Sequence, residues 1–123
     1  MRIFKTKLFN RWAKKADLGD SSLIEAVNEI EQGLVEANLG GNLYKKRVAT
    51  STGGKRGGFR TLLAYKKGKE VFFLYGFEKG SKENITDKEE KNLKGFAELY
   101  LEFNNRDIQI ALKNSELIEV ENE

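Results

Sequence analysis

Lys45, Arg47, Arg60 and Lys79 are the residues best placed to do chemistry in this chain of 123 residues, which has no His and no Cys. Those two absences exclude zinc fingers, Cys/His nucleophile pairs and Ser-His-Asp triads. Acid–base work then falls to Lys, whose pKa drops when like charges crowd it. Arg stays charged and holds a phosphate through two parallel hydrogen bonds. A cluster of such side chains fits either a phosphate-binding surface or phosphodiester chemistry run by electrostatic stabilisation. Residue types alone leave both open.

These side chains need strands to bring them together. Leu43–Ala49, Gly58–Lys66 and Glu70–Glu78 are rich in aromatic and β-branched residues and read as three strands. Alternation puts Lys45 and Arg47 on one face of the first strand, with Tyr44, Lys46 and Val48 on the other. Tyr44 and Val48 mark the core side. Lys46 is the misfit there and belongs at the sheet rim, with its stem on apolar surface. Arg60 faces away from Phe59 and Thr61. Lys79 follows the third strand, and Lys82 the turn beyond it. If the strands are sequential neighbours, their cations meet on one sheet face. Lys55 and Arg56 hang over that face from the Gly-rich connection between the first two strands. Most of Phe72, Phe73, Tyr75 and Phe77 belong to the core, and Phe77, beside Lys79, is the candidate platform for stacking a base.

The surrounding pattern predicts the remaining elements. Arg2–Lys7 reads as a first strand. Leu8, Phe9, Trp12 and Ala16 follow at helical spacing. Ser22-x-x-Glu25 is a capping box, and Leu23, Val27, Ile30 and Leu34 after it predict a helix that runs to Gly40-Gly41. Thr86-x-x-Glu89 is a second capping box, before Leu93, Phe96, Ala97, Tyr100 and Leu101. Asn104–Asp107 breaks that helix, Ile108–Lys113 predicts a short one, and Leu117–Val120 an edge strand ahead of an acidic tail. The order is β-α-α-β-β-β-α, with a short helix and strand to close. It predicts one α+β domain over residues 1–123, an antiparallel central sheet with helices packed on one side.

Charge is unevenly spread. The whole chain is net +3, but residues 43–82 hold eleven basic and two acidic side chains, net +9. Residues 83–123 are net −6 and residues 1–42 neutral. A basic block of that density is the electrostatic footprint for a polyanion, nucleic acid above all. With no Cys there is no disulfide framework, and no apolar run approaches the roughly 20 residues of a membrane span. The expectation is a small, soluble, cytoplasmic protein. Gly53-Gly54-Lys55-Arg56-Gly57-Gly58 is not a nucleotide phosphate loop, because it lacks G-x-x-x-x-G-K-[ST] and leads into a strand instead of a helix. The acidic residues of the 86–102 segment match no metal-ligand pattern, so no metal and no cofactor is expected.

From Arg2 to about Val120 the chain resembles the RelE/ParE superfamily of bacterial type II toxin–antitoxin toxins, most closely its RelE/HigB-type branch. The resemblance rests on the element order and on Arg2-Ile-Phe-Lys-Thr-Lys, Leu43-Tyr-Lys-Lys-Arg-Val-Ala, Gly54-Lys-Arg-Gly-Gly-Phe-Arg-Thr-Leu and Phe72-Phe-Leu-Tyr-Gly-Phe-Glu-Lys. It implies a RelE-like fold and a ribosome-dependent mRNA endonuclease, an mRNA interferase that cuts the A-site codon. There the 2′-OH attacks the adjacent phosphate, and basic residues replace a His pair. Lys45 and Arg47 match the basic strand positions near the 2′-OH and phosphate, Arg60 the arginine that stabilises the phosphorane, and Lys79 the group that protonates the leaving oxygen. Lys55, Arg56 and Lys82 would contact RNA. Ile85 stands about where the best-known members stack a base on a tyrosine, which leaves stacking to Phe77. The implied partners are the ribosome, mRNA and a cognate antitoxin of helix-turn-helix type. Two alternatives stay open: a ParE-like gyrase poison without catalysis, and an RNA-binding regulator.

Overall fold

A computed structural model describes residues 1–49 and 58–120 of the chain. The elements run β1 (Ile3–Thr6), α1 (Lys7–Lys15), α2 (Asp20–Glu31), β2 (Ala37–Gly40), β3 (Leu43–Val48), β4 (Phe59–Ala64), β5 (Val71–Glu78), α3 (Asp87–Leu101), α4 (Asn105–Lys113) and β6 (Leu117–Glu119). The fold is α+β. Its six described strands form one mixed sheet in the order β2-β3-β4-β5-β1-β6. The expected β3-β4-β5 meander is present, and its neighbours pair antiparallel. Among the described strands the one parallel pair is β1 with β5, where Ile3 lies beside Val71 and Phe4 beside Phe72. Placing β1 there puts the first strand inside the sheet, between β5 and β6, where all four of its residues are buried.

Alternation along the strands divides the core in two. Ile3, Leu63 and Phe73 belong to one cluster with Phe9, Ala13, Leu23, Val27 and Ile30 of α1 and α2. Their chain neighbours Phe4, Leu62 and Phe72 belong to another, with Leu93 and Ala97 of α3 and Ile108 and Ala111 of α4. Successive strand residues point to opposite faces, so the helical cover is shared between the two faces of the sheet.

On the first face, the Trp12 ring of α1 packs against β5 at Gly76. A Cβ at that position would run into the Trp12 ring, so the indole occupies the space a side chain would need. Trp12 also meets Phe59 edge-on, with ring centroids 5.4 Å apart.

Two boundaries differ from the sequence-based expectation. Helix α2 begins at Asp20 with Gly19 as a cap that offers no side chain, so Ser22 lies inside the helix and not at its cap. Asp20 is held there by Lys5 of β1 at 2.8 Å. The helix also ends at Glu31 instead of reaching Gly40-Gly41. Leu34, expected on its buried face, is 54% exposed. Residues 37–40 instead form the edge strand β2, and Gly40, Gly41 and Asn42 all take positive φ in the tight turn that leads to β3. Two glycines in a row thus mark a hairpin turn, not a helix end.

The expected capping box at Thr86 is realised, and the expected break at Asn104–Asp107 also holds one. Thr86 and Glu89 form the reciprocal capping box of α3, and Asn104 and Asp107 form one for α4, which therefore starts at Asn105, earlier than Ile108.

Candidate phosphate site

The site grows out of the β3–β4 register. Arg47 is directly opposite Arg60, and Lys45 is opposite Leu62, all on the face of the second core cluster. Along the strands that face changes character. Leu43, Leu62 and Ala64 are packed in the cluster with α3, and one or two positions further on come Lys45, Arg47 and Arg60. Arg60 is beside Phe77 of β5, again in register. Two like charges facing each other across a strand pair are destabilising unless an anion sits between them.

Glu36 is that anion. It immediately precedes β2, and its backbone N–H donates to the carbonyl of Lys45 at 2.9 Å, which ties it to the cationic strand. Its Oε1 lies 3.1 Å from Arg47 Nε and 2.9 Å from Arg60 Nε. Its Oε2 faces Lys45 Nζ at 3.4 Å. Lys45 Nζ also donates to Asn84 Oδ1 at 3.2 Å, from the connection between β5 and α3. Burial alone would push the Glu36 carboxyl up. The Arg47 hydrogen bond and the charges of Lys45 and Arg60 outweigh it and hold the group below its ordinary value. Glu36 is therefore ionised at neutral pH, and the cluster of three cations and one anion keeps an excess of positive charge.

Arg60 is the least accessible member, at 4% exposure. Its Nε is paired with Glu36, but its Nη1 is buried with no hydrogen-bond partner among the described residues. Such an orphaned donor costs about 1–3 kcal/mol. Arg47, with half its side chain exposed, opens the other end of the cluster to solvent. An open depression beside it is lined by Leu34, Val35, Glu36, Lys46 and Arg47. The arrangement can hold an anionic group and stabilise charge that builds on it.

The other expected site residues fall differently. Lys79 is exposed just past β5. Its backbone N–H donates to Gly58, and its side chain forms no ion pair with the described residues. Lys82 is engaged elsewhere, with Nζ 2.6 Å from Glu89 Oε2 and close to the Tyr75 hydroxyl. Phe77 is 4% exposed, so its ring is a wall beside Arg60 and has no free face for a base. Lys55 and Arg56 lie outside the described residues. Lys46, the misfit on the core side, is buried against α2 and paired with Glu29 at 2.8 Å. No group of His, Cys, Asp or Glu that could hold a metal occurs among the described residues.

Sequence reasoning missed Glu36 and Asn84. Glu36 was hidden inside the helix expected to run to Gly40. The only available signal was a lone acidic residue just ahead of a net +9 block.

A family profile described as the RelE toxin of the RelE/RelB toxin–antitoxin system matches residues 1–120. The chain belongs to the RelE toxin family. The match spans every described element, from β1 to β6. Membership makes the protein a toxin of a toxin–antitoxin pair and implies a cognate antitoxin. There is no match among curated proteins. No described helix of this RelE-family toxin is long and apolar enough to cross a membrane.

Proposed function

We propose that this toxin is a metal-independent, ribosome-dependent mRNA endonuclease that cleaves the codon in the A site. The observation that carries this reading is the buried Arg60 with an unpartnered Nη1, in a cluster with Arg47 and Lys45. A buried guanidinium nitrogen left without a partner calls for an explanation, and a ligand that completes it supplies one. The ligand that suits a forked donor with excess positive charge around it is a phosphate.

In this mechanism the 2′-OH attacks the adjacent phosphorus, and the P–O5′ bond breaks. The products are a 2′,3′-cyclic phosphate and a 5′-OH. Lys45 and Arg47 lie against the 2′-oxygen and the phosphate, where their charge favours transfer of the 2′ proton to water. Arg60 stabilises the pentacoordinate phosphorane. Lys79 supplies a proton to the departing 5′-oxygen. Lys55, Arg56 and Lys82 contact the RNA strand. The antitoxin, of helix-turn-helix type, neutralises the toxin by covering this basic face.

The test is to map mRNA ends in a translating extract. Wild-type protein should create new ends inside ribosome-bound codons, with 5′-OH termini. Lys45→Ala, Arg60→Ala and Lys79→Ala should each suppress them and relieve growth arrest. No new ends with the wild-type protein, or DNA damage signalling in their place, would refute the reading.

A further inference from the structure

The cationic cluster is already filled in the free protein, by a side chain of its own. Glu36 presents two carboxylate oxygens, one shared by Arg47 and Arg60 and the other turned to Lys45. A carboxylate and a phosphodiester are alike to these donors, since each offers a pair of anionic oxygens to a guanidinium fork. They differ in shape. The planar carboxylate leaves Arg60 Nη1 buried and unbonded. A tetrahedral phosphate, with bridging oxygens above and below the anionic pair, has acceptors out of that plane. The carboxylate is thus an incomplete fit to a seat built for something larger.

Glu36 is also placed to leave. It sits outside the sheet, between the end of α2 and the first residue of β2, and its side chain keeps 19% exposure. Its backbone is fixed by the hydrogen bond to Lys45, so departure needs only side-chain rotation into solvent.

We propose that Glu36 is a built-in occupant of the phosphate seat, holding Lys45, Arg47 and Arg60 assembled in the free toxin until an RNA phosphate displaces its carboxylate. This rests on the reading above that the cluster receives RNA phosphate. It makes Glu36 a positioning residue that competes with substrate. Without it, three cations on adjacent strands would repel one another and splay. With it they stay in place, at the expense of affinity.

The probe is a single-stranded RNA dodecamer with 2′-O-methyl riboses, which has no nucleophile and cannot be cleaved. Its binding is followed by fluorescence anisotropy, with thermal melting recorded alongside. Glu36→Gln keeps the shape and removes the competing charge, so it should bind about tenfold more tightly than wild type, the scale of one charged hydrogen bond lost to competition. Glu36→Asp retains the charge and should return affinity toward wild type. Equal or weaker binding by Glu36→Gln with unchanged melting overturns the proposal. So does loss of cleavage at unchanged RNA affinity, which would make Glu36 a base. If Glu36→Gln does not fold, the side-chain carboxylate ¹³C signal of Glu36 in the wild-type protein decides. It should move on RNA addition, and a static signal at saturating RNA overturns the proposal. The two readings fail separately. Tighter binding by Glu36→Gln without ribosomal cleavage by wild type sinks the endonuclease and keeps the seat, whereas cleavage without the gain in affinity sinks only the seat.

Discussion

Replacing Arg60 by Met should abolish cleavage while leaving folding nearly unchanged. Buried charged residues usually behave otherwise. Arg60 is ion-paired with Glu36, its Nε 2.9 Å from Oε1. The attraction at that distance, net of the cost of taking both charges out of water, is on the order of 1–3 kcal/mol. Against it stands Nη1, buried without a partner, at about 1–3 kcal/mol. The like charge of Arg47 directly across the strand pair adds a further cost. Methionine keeps an unbranched apolar stem beside Phe77 and removes the orphaned donor. Glu36 retains Arg47 at 3.1 Å and Lys45 at 3.4 Å, so no buried anion is abandoned. The opposing contributions nearly cancel, and the net change should be within about 1 kcal/mol in either direction.

Function has no such compensation. Removing one preorganised donor aimed at developing charge costs roughly 10²–10³ in rate. Urea unfolding at pH 7 gives the first quantity, and primer extension on ribosome-bound mRNA gives the second. A loss of stability above about 3 kcal/mol would show that Arg60 is a structural ion-pair residue whose donor is satisfied in solution. Cleavage within a few-fold of wild type would remove it from the phosphate site.

Further consequences concern the frame around the site. Gly76→Ala places a methyl group in the space held by the Trp12 ring and should destabilise by about 1–3 kcal/mol, with a shift in Trp12 fluorescence in the folded state. Leu23→Ala in the buried face of α2 should cost about 2–5 kcal/mol, whereas Leu34→Ser should be neutral within about 0.5 kcal/mol. If Leu34 proved the costlier, the helix would extend beyond Glu31. The Glu89 carboxyl is lowered to about 2, chiefly by the hydrogen bond from Lys82 and then by the Thr86 backbone. A depressed acid stabilises the fold above its unfolded pKa and loses that contribution as pH falls through the folded one. Glu89→Gln should therefore be less stable by a few tenths to about 1 kcal/mol at pH 7, and the gap should close as pH drops toward 2. A gap independent of pH would place the effect in helix propensity instead.

The sequence was most legible where the determining contacts are local. Thr86-x-x-Glu89 satisfies two backbone N–H groups within one turn, so the motif and the helix start coincide. Period-2 alternation located Lys45, Arg47 and Arg60 on one face because strand register carries that information without further help. Ser22-x-x-Glu25 has the same local form, yet the helix start is displaced to Asp20, where Lys5 of a distant strand bonds the first-turn carboxylate. Leu34 matched a helical period by coincidence and hid the strand behind it. Lys46 was a misfit only while its partner Glu29, on another element, was unknown. Glu36 was out of reach for the same reason, since its meaning lies in three cations that the sheet gathers and the sequence separates.

The same separation explains how a small fold carries repelling charges in its middle strands. Along β3 and β4, the second face is apolar at Leu43, Leu62 and Ala64 and cationic at Lys45, Arg47 and Arg60. Helix α3 covers the apolar half through Leu93 and Ala97. The connection that precedes α3 meets the cationic half through Asn84, whose Oδ1 accepts from Lys45 Nζ and from the backbone of Ile85. Asn84 is two residues ahead of the Thr86 cap, and Lys82 reaches past it to the Glu89 of the same cap. The capping box therefore fixes two things at once. It fixes where apolar cover begins, and so which part of the sheet stays open to an anion. It also anchors the residue that orients Lys45. The stability that tolerates Arg60 comes from the clusters on both faces of the strands, which hold β3 and β4 in register whatever sits between their cations. Glu36 then has only to balance charge, and a carboxylate that balances charge without filling the seat can be exchanged for a phosphate.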